Sequence, residues 1–152
     1  MTASRSTEQS GRASNQFVDA PVSVRVRLIA LWSALLFCFI YIDIFAFFQP
    51  GTLQETLAGH LPPLGDTTEG ALLLLTIMMI IPILMIPGSV LLSVSATRVA
   101  NTVFGALYAV VPLATLAGSW VHYKVLSAVV FLLGAAIVRG AWSWPRGESA
   151  RH

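Results

Sequence analysis

Residues 70–94 read GALLLLTIMMIIPILMIPGSVLLSV, a run with no charged side chain. A helix needs about 20 mostly apolar residues to cross a hydrocarbon core of roughly 30 Å, because its backbone groups find no water there and must be satisfied internally. This run is long enough, and three others match it at 28–48, 99–117 and 125–144. The expected fold is therefore all-α: a polytopic membrane protein whose residues 25–145 form a bundle of four transmembrane helices.

Composition agrees. Hydrophobic residues make up 56% of the chain and charged residues 11%, and the mean hydropathy is +0.77, which excludes an ordinary soluble domain. Between Leu28 and Trp144 the charges are Asp43, Glu55, Asp66, Glu69, Arg98, Lys124 and Arg139, most of them in or beside the connections. Residues 1–24 are rich in Ser, Thr, Arg and Gln and carry too little apolar surface to offset the entropy of ordering. They are expected to be a disordered cytoplasmic tail, as is the short segment 146–152. A signal peptide competes for the N-terminus, but the first apolar run is about twice the usual length and lacks a small-residue cleavage site. Cys38 lies inside that run after Leu36 and Phe37, so it is neither a lipoprotein cysteine nor able to form an intramolecular disulfide.

Orientation follows from the basic residues of the short connections. Arg5, Arg12, Arg25, Arg27, Arg98, Arg139, Arg146 and Arg151 fall on one side of a four-span topology, and only Lys124 on the other. Both termini are therefore expected in the cytoplasm, with the bacterial inner membrane as the site. The pI near 9.1 reflects this asymmetry, and no basic cluster with interleaved aromatics suggests nucleic acid. Trp142 and Trp144 suit the inner interface and Trp120 the outer one. Arg139 has a stem long enough to snorkel inward as an anchor.

The spans carry local signals. Gln49-Pro50-Gly51 stops the first, 53–61 suits a short interfacial helix, and Asp66-Thr67-Thr68-Glu69 resembles a capping box for the second. Pro82 and Pro87-Gly88 interrupt the second span, either as a hinge of the kind transporters use or as prolines tolerated in a packed helix. Asn101, Gly105 and Ala109 share one face of the third span, as small residues and an amide do where another helix packs closely. Arg98 and Asn101 are read as inner-side packing residues, and Ser127, Gly134, Ala135 and Ala136 suit close packing of the fourth.

Asp43 is the one acid inside an apolar, aromatic stretch. It lies about 22 Å along the first helix from Leu28, in the outer third of the bilayer. Its insertion penalty is below the roughly 2.5 to 3.5 kcal/mol of a central position. Helical spacing groups Asp43 with Trp32, Leu36, Phe39 and Phe47, opposite Phe37, Tyr41, Phe45 and Phe48. The Asp43 face is expected to point into the bundle, toward Glu69, His122, Tyr123 and Lys124 at the same outer level, with Lys124 as an ion-pair partner. Such a cluster is either a polar clasp or a protonatable site. The sequence has no metal-ligand motif, nucleophile elbow, phosphate loop, dinucleotide fingerprint or haem-attachment motif, so no catalytic residue, metal or cofactor is expected.

The motifs YIDIFAFFQPG at Tyr41–Gly51, ATRVAN at Ala96–Asn101 and VHY at Val121–Tyr123, with the proline-containing second span, resemble a family of small uncharacterised bacterial membrane proteins with four helices. The resemblance brings no activity, but points to Asp43, Arg98, Asn101, His122 and Tyr123. Redox-associated proteins of the DoxX type share the span count. Small multidrug transporters share four spans with an acid in the first, but are shorter, hold it deeper and lack a long first connection. The reading is an accessory or structural membrane component that meets lipid, a second copy or a partner membrane protein through its small-residue faces. The alternatives are a small proton- or ion-coupled transporter using Asp43, and then a DoxX-like redox-associated protein.

Overall fold

A computed structural model describes residues 21–61 and 64–144; both expected terminal tails lie almost entirely outside these. Four long helices are each long and apolar enough to cross a membrane. They are α1 (Val24–Ala46), α3 (Glu69–Leu91), α4 (Val94–Val110), whose span runs on to Ala114, and α5 (Val121–Trp142), with the short α2 (Thr52–Leu57) in the first connection. Serine and threonine hydroxyls start three of the long helices. Ser23, Thr68 and Ser93 accept the amides of Val26, Ala71 and Ala96, each satisfying one of the free donors of a first turn.

The connections differ from expectation in two places. The short helix of the first connection ends at Leu57. The chain then turns at Gly59 (φ 86°) into a two-residue strand, β1 (His60–Leu61), antiparallel to β2 (Gly65–Asp66). The second connection is only Leu92-Ser93, so Arg98 lies inside α4 and not in a loop. Ser93 supplies the reason, because its N-cap starts the helix before Arg98 is reached. At the other end, Pro112 brings no amide to continue the ladder, and α4 tightens into a 3-10 turn over Val111–Thr115.

The helices close a ring in which α1 packs between α3 and α5, α5 packs on α4, and α4 meets α3. Leu28, Trp32, Leu35, Phe39 and Ile42 form the inward stripe of α1, against Met85 of α3, Tyr108 of α4 and Val130 and Ile137 of α5. Phe39 and Trp32 both meet the Tyr108 ring edge to face, with centroids 5.8 Å apart. Ser127, on the buried face of α5, keeps its hydroxyl without a hydrogen-bond partner, and nothing in the structure explains it.

The tightest seam joins α4 to α5 through glycine. A Cβ on Gly134 would lie 2.7 Å from Ala109 Cβ and 2.8 Å from the Gly105 carbonyl oxygen, and one on Gly105 would lie 2.8 Å from Ile137 Cγ2. Backbone therefore touches backbone here, the close approach that small residues allow in lipid. Gly134→Ala should push the two helices apart and cost about 1 to 3 kcal/mol. Gly140→Ala, whose new methyl would meet only Leu28 Cδ2 at 3.6 Å, should stay within about 0.5 kcal/mol. Unfolding in detergent checks this, and equal effects would show that the glycine seam does not set the packing.

Candidate functional site

At the end of the bundle where α1 stops and α5 starts, the two helices present polar side chains to each other, but not the expected set. Gln49, just past α1, places Nε2 3.2 Å from His122 Nε2 near the start of α5; with the amide donating, the imidazole proton sits on Nδ1. Phe45 and Trp120 lie around the same imidazole with ring centroids at 6.2 and 6.4 Å. Tyr123 is half-buried beside His122, and Lys124 is exposed. Glu69 is the first residue of α3, an exposed carboxylate at the positive end of the helix dipole.

Asp43 does not join them. It is exposed, and among the described residues no side chain pairs with it; the ion pair present there joins His60 to Asp66 at 2.9 Å in the exposed hairpin. The helical geometry explains the difference. The flank of α1 that meets α5 belongs to Phe45 and Gln49, and Asp43 is about 160° around the helix from Phe45. It follows Arg25 by 18 residues, about five full turns. It therefore occupies the flank by which Arg25 reaches Ser89 and Val90 of α3. The expected inward stripe correctly held Trp32 and Phe39, but its centre runs through Leu28, Leu35 and Ile42, and Asp43 turns off its edge.

The half of the bundle where α1 starts and α3 ends holds the buried polar cluster. Trp32 donates its indole N–H to Asn101 Oδ1 at 2.7 Å, and the Asn101 amide donates to the Thr97 carbonyl at 2.8 Å and approaches Ser89 Oγ at 3.5 Å. Ser89 in turn donates to the Met85 carbonyl at 2.7 Å. Asn101, Thr97, Ser89 and Trp32 are fully buried, so one neutral network ties α1, α3 and α4.

Two arginines frame that network by closing helix ends. Arg25 Nη1 lies 2.8, 2.7 and 3.1 Å from the carbonyl oxygens of Ser89, Val90 and Leu92, its two protons shared among three acceptors at and just past the end of α3, of which the Leu92 oxygen also accepts the Thr97 hydroxyl. The Trp144 ring covers its guanidinium at 5.5 Å. Arg98 donates through Nε to the Ala141 carbonyl at the end of α5, at 3.3 Å. Each cation meets the negative end of a helix dipole. Arg139, by contrast, is exposed on α5.

The prolines fit the same logic. A residue at position 82 would normally donate to the carbonyl of Met78, and Pro82 cannot. Tyr108 of α4 donates its hydroxyl to the Met78 carbonyl instead. Pro87 and Gly88 directly precede the carbonyls gripped by Arg25, and α3 runs unbroken through both prolines. The segment expected as hinge or tolerated kink is thus held at both ends by other helices. Arg25, Ser89 and Tyr108 escaped the sequence reading. Trp32 carried a usable signal, since an indole N–H in a membrane span requires an acceptor, and Asn101 was the acceptor available.

A ring of four spanning helices with a neutral buried polar network and charges at its surface and ends is a multi-pass integral membrane protein. The chain belongs to the family of unknown function DUF6326, whose model matches residues 22–151. No curated protein and no solved structure matches it.

Two energetic cycles check this geometry. Tyr108→Phe should cost about 1 kcal/mol by stranding the Met78 carbonyl. In a Pro82→Ala background, where a ladder amide returns, most of that cost should vanish; an unchanged cost would mean that the hydroxyl does not serve the proline gap. Asp43→Asn and Lys124→Ala should combine additively in unfolding free energy, as separated groups do, whereas strong coupling would restore the ion pair that the structure lacks.

Proposed function

We propose that this protein is an accessory component of the bacterial inner membrane, with both termini cytoplasmic, that associates laterally with a partner membrane protein through the α1–α3 flank bearing Asp43. The observation that carries the reading is the position of that carboxylate: exposed, within a spanning helix, and unpaired among the described residues. A carboxylate at such a depth is costly unless something pairs with it, and a neighbouring helix offering a cation or hydroxyl would do so. The exposed apolar residues around it, Ile40, Ile44 and Phe47, supply surface for packing. The bundle interior supports the same reading, because its polar groups are neutral and the Trp32, Asn101 and Ser89 side chains are engaged within the bundle. An Asp43-dependent proton- or ion-coupled transporter is the alternative supported by the acid's depth.

The test is gentle purification of the full chain from native inner membranes, with mass spectrometry of what accompanies it. A stoichiometric membrane protein should accompany the wild type and be lost on Asp43→Asn, while the variant remains folded. On intact cells, an impermeant thiol reagent should label Thr67→Cys and spare Ser143→Cys. Proton- or substrate-linked flux through reconstituted protein that Asp43→Asn abolishes, with no retained partner, would replace this reading by the transporter.

A further inference from the structure

The face where α4 meets α5 is furrowed on its outer side. An apolar groove of about 470 Å³ runs between Ala106 and Val110 of α4 and Ala135 and Val138 of α5, and ends beside Arg139 and Trp142. A second groove, of about 530 Å³, lies on the same face toward the other end of the bundle, between Leu113, Leu116, Ala128 and Leu132, and reaches Lys124. Small side chains cut both furrows, since alanine at positions 106, 128 and 135 leaves room that leucine would fill. Each furrow thus pairs an apolar channel with one cation, and the two cations stand about one turn from opposite ends of α5.

Neither cation is neutralised by the described chain. The described carboxylates are Asp43, on the flank of α1 toward α3, and Glu55, Asp66 and Glu69 in or beside the first connection. The ion pair formed among them uses His60. Arg25 and Arg98 face helix carbonyls, whereas the Arg139 side chain is left to its surroundings.

We propose that the α4–α5 furrows seat anionic phospholipids, one in each leaflet, with an acyl chain along the alanine-lined channel and the headgroup phosphate on Arg139 at one end and on Lys124 at the other. A second copy of the chain fits less well. A two-fold axis along the membrane normal would bring Arg139 toward Arg139 and Lys124 toward Lys124, with no described acid at either level of this face to meet them. A phospholipid brings the missing charge and the slender apolar chain together. From Ala135 to Ser143 the channel runs about 12 Å along α5, a length that an acyl chain below its headgroup can follow. Trp142, exposed at the end of the groove, is placed as interfacial tryptophans are at headgroup level.

The test uses the purified full chain in mild detergent, with spin-labelled phosphatidylglycerol and phosphatidylcholine as probes, and native mass spectrometry to count what stays bound. Phosphatidylglycerol should be preferred about fivefold by the wild type, from the roughly single-charge gain at each site. Arg139→Gln should remove one retained lipid and Lys124→Gln the other. Ala135→Phe, at an exposed position that fills the channel without touching the core, should displace the lipid beside Arg139 while leaving that cation in place. Equal binding of the two lipids, retention unaffected by these substitutions, or dimers in place of lipid adducts would each overturn the proposal. Because Asp43 stands on another face, loss of the protein partner and loss of the lipids are separate results.

Discussion

A carbonyl without a donor has no recourse to water inside hydrocarbon, and this constraint organises the bundle more than apolar attraction can, since lipid tails are as apolar as leucine. At three points where the sequence breaks or ends a helix, another helix sends a donor. Tyr108 supplies the bond that Pro82 withholds from Met78, Arg25 gathers the last carbonyls of α3, and Arg98 reaches the end of α5. These are contacts between helices, so satisfying the backbone and assembling the tertiary structure are the same event. Pro82 consequently creates a demand that ties α3 to α4.

Side-chain polarity obeys the same rule with neutral groups. Trp32, Asn101, Ser89 and Thr97 could each be expensive in the bundle centre, yet each finds a partner within the network or in its own helix. Such bonds are individually modest in membranes, about 0.6 kcal/mol on average, so their principal effect is to select one rotation of each helix. Only one register of α4 against α1 brings the Asn101 carboxamide oxygen to the Trp32 indole. The glycine seam sets the other coordinate, because Gly105 and Gly134 permit an approach that any Cβ would forbid.

The number of spans and their apolar faces were legible in the sequence because hydropathy and length report directly on the cost of burying backbone in lipid. Asn101, Gly105 and Ala109 were also legible as a packing face, since small-residue spacing has one physical meaning there. Asp43 misled for an identifiable reason: helical spacing groups residues to within about 40°, whereas the edge between inward stripe and flank is narrower than that. Its expected partners failed for another, because a level in the membrane says nothing about which neighbour a flank faces. Arg25 read as an orientation charge and Tyr108 drew no reading, since the carbonyls they serve lie 64 and 30 residues away in the chain.

What remains after these internal demands are met is informative about function. Arg25 and Arg98, which are close to helix ends, are used up within the fold, and His60 and Asp66 answer each other in the hairpin. Apart from Glu69 at the first residue of α3, Asp43, Lys124 and Arg139 are the charges of the spanning helices that the fold does not spend on itself, and all three are exposed. They divide by sign as well as by face, the carboxylate on the α1–α3 flank and the two cations along α4–α5. A bundle whose interior is neutral and whose surplus charges lie at its circumference suits the lateral neighbours proposed above, molecules within the plane of the membrane. The two circumferential faces then ask for chemically opposite neighbours, a donor or cation on one and an anion on the other, so a protein partner and an anionic lipid can be held at once without competing.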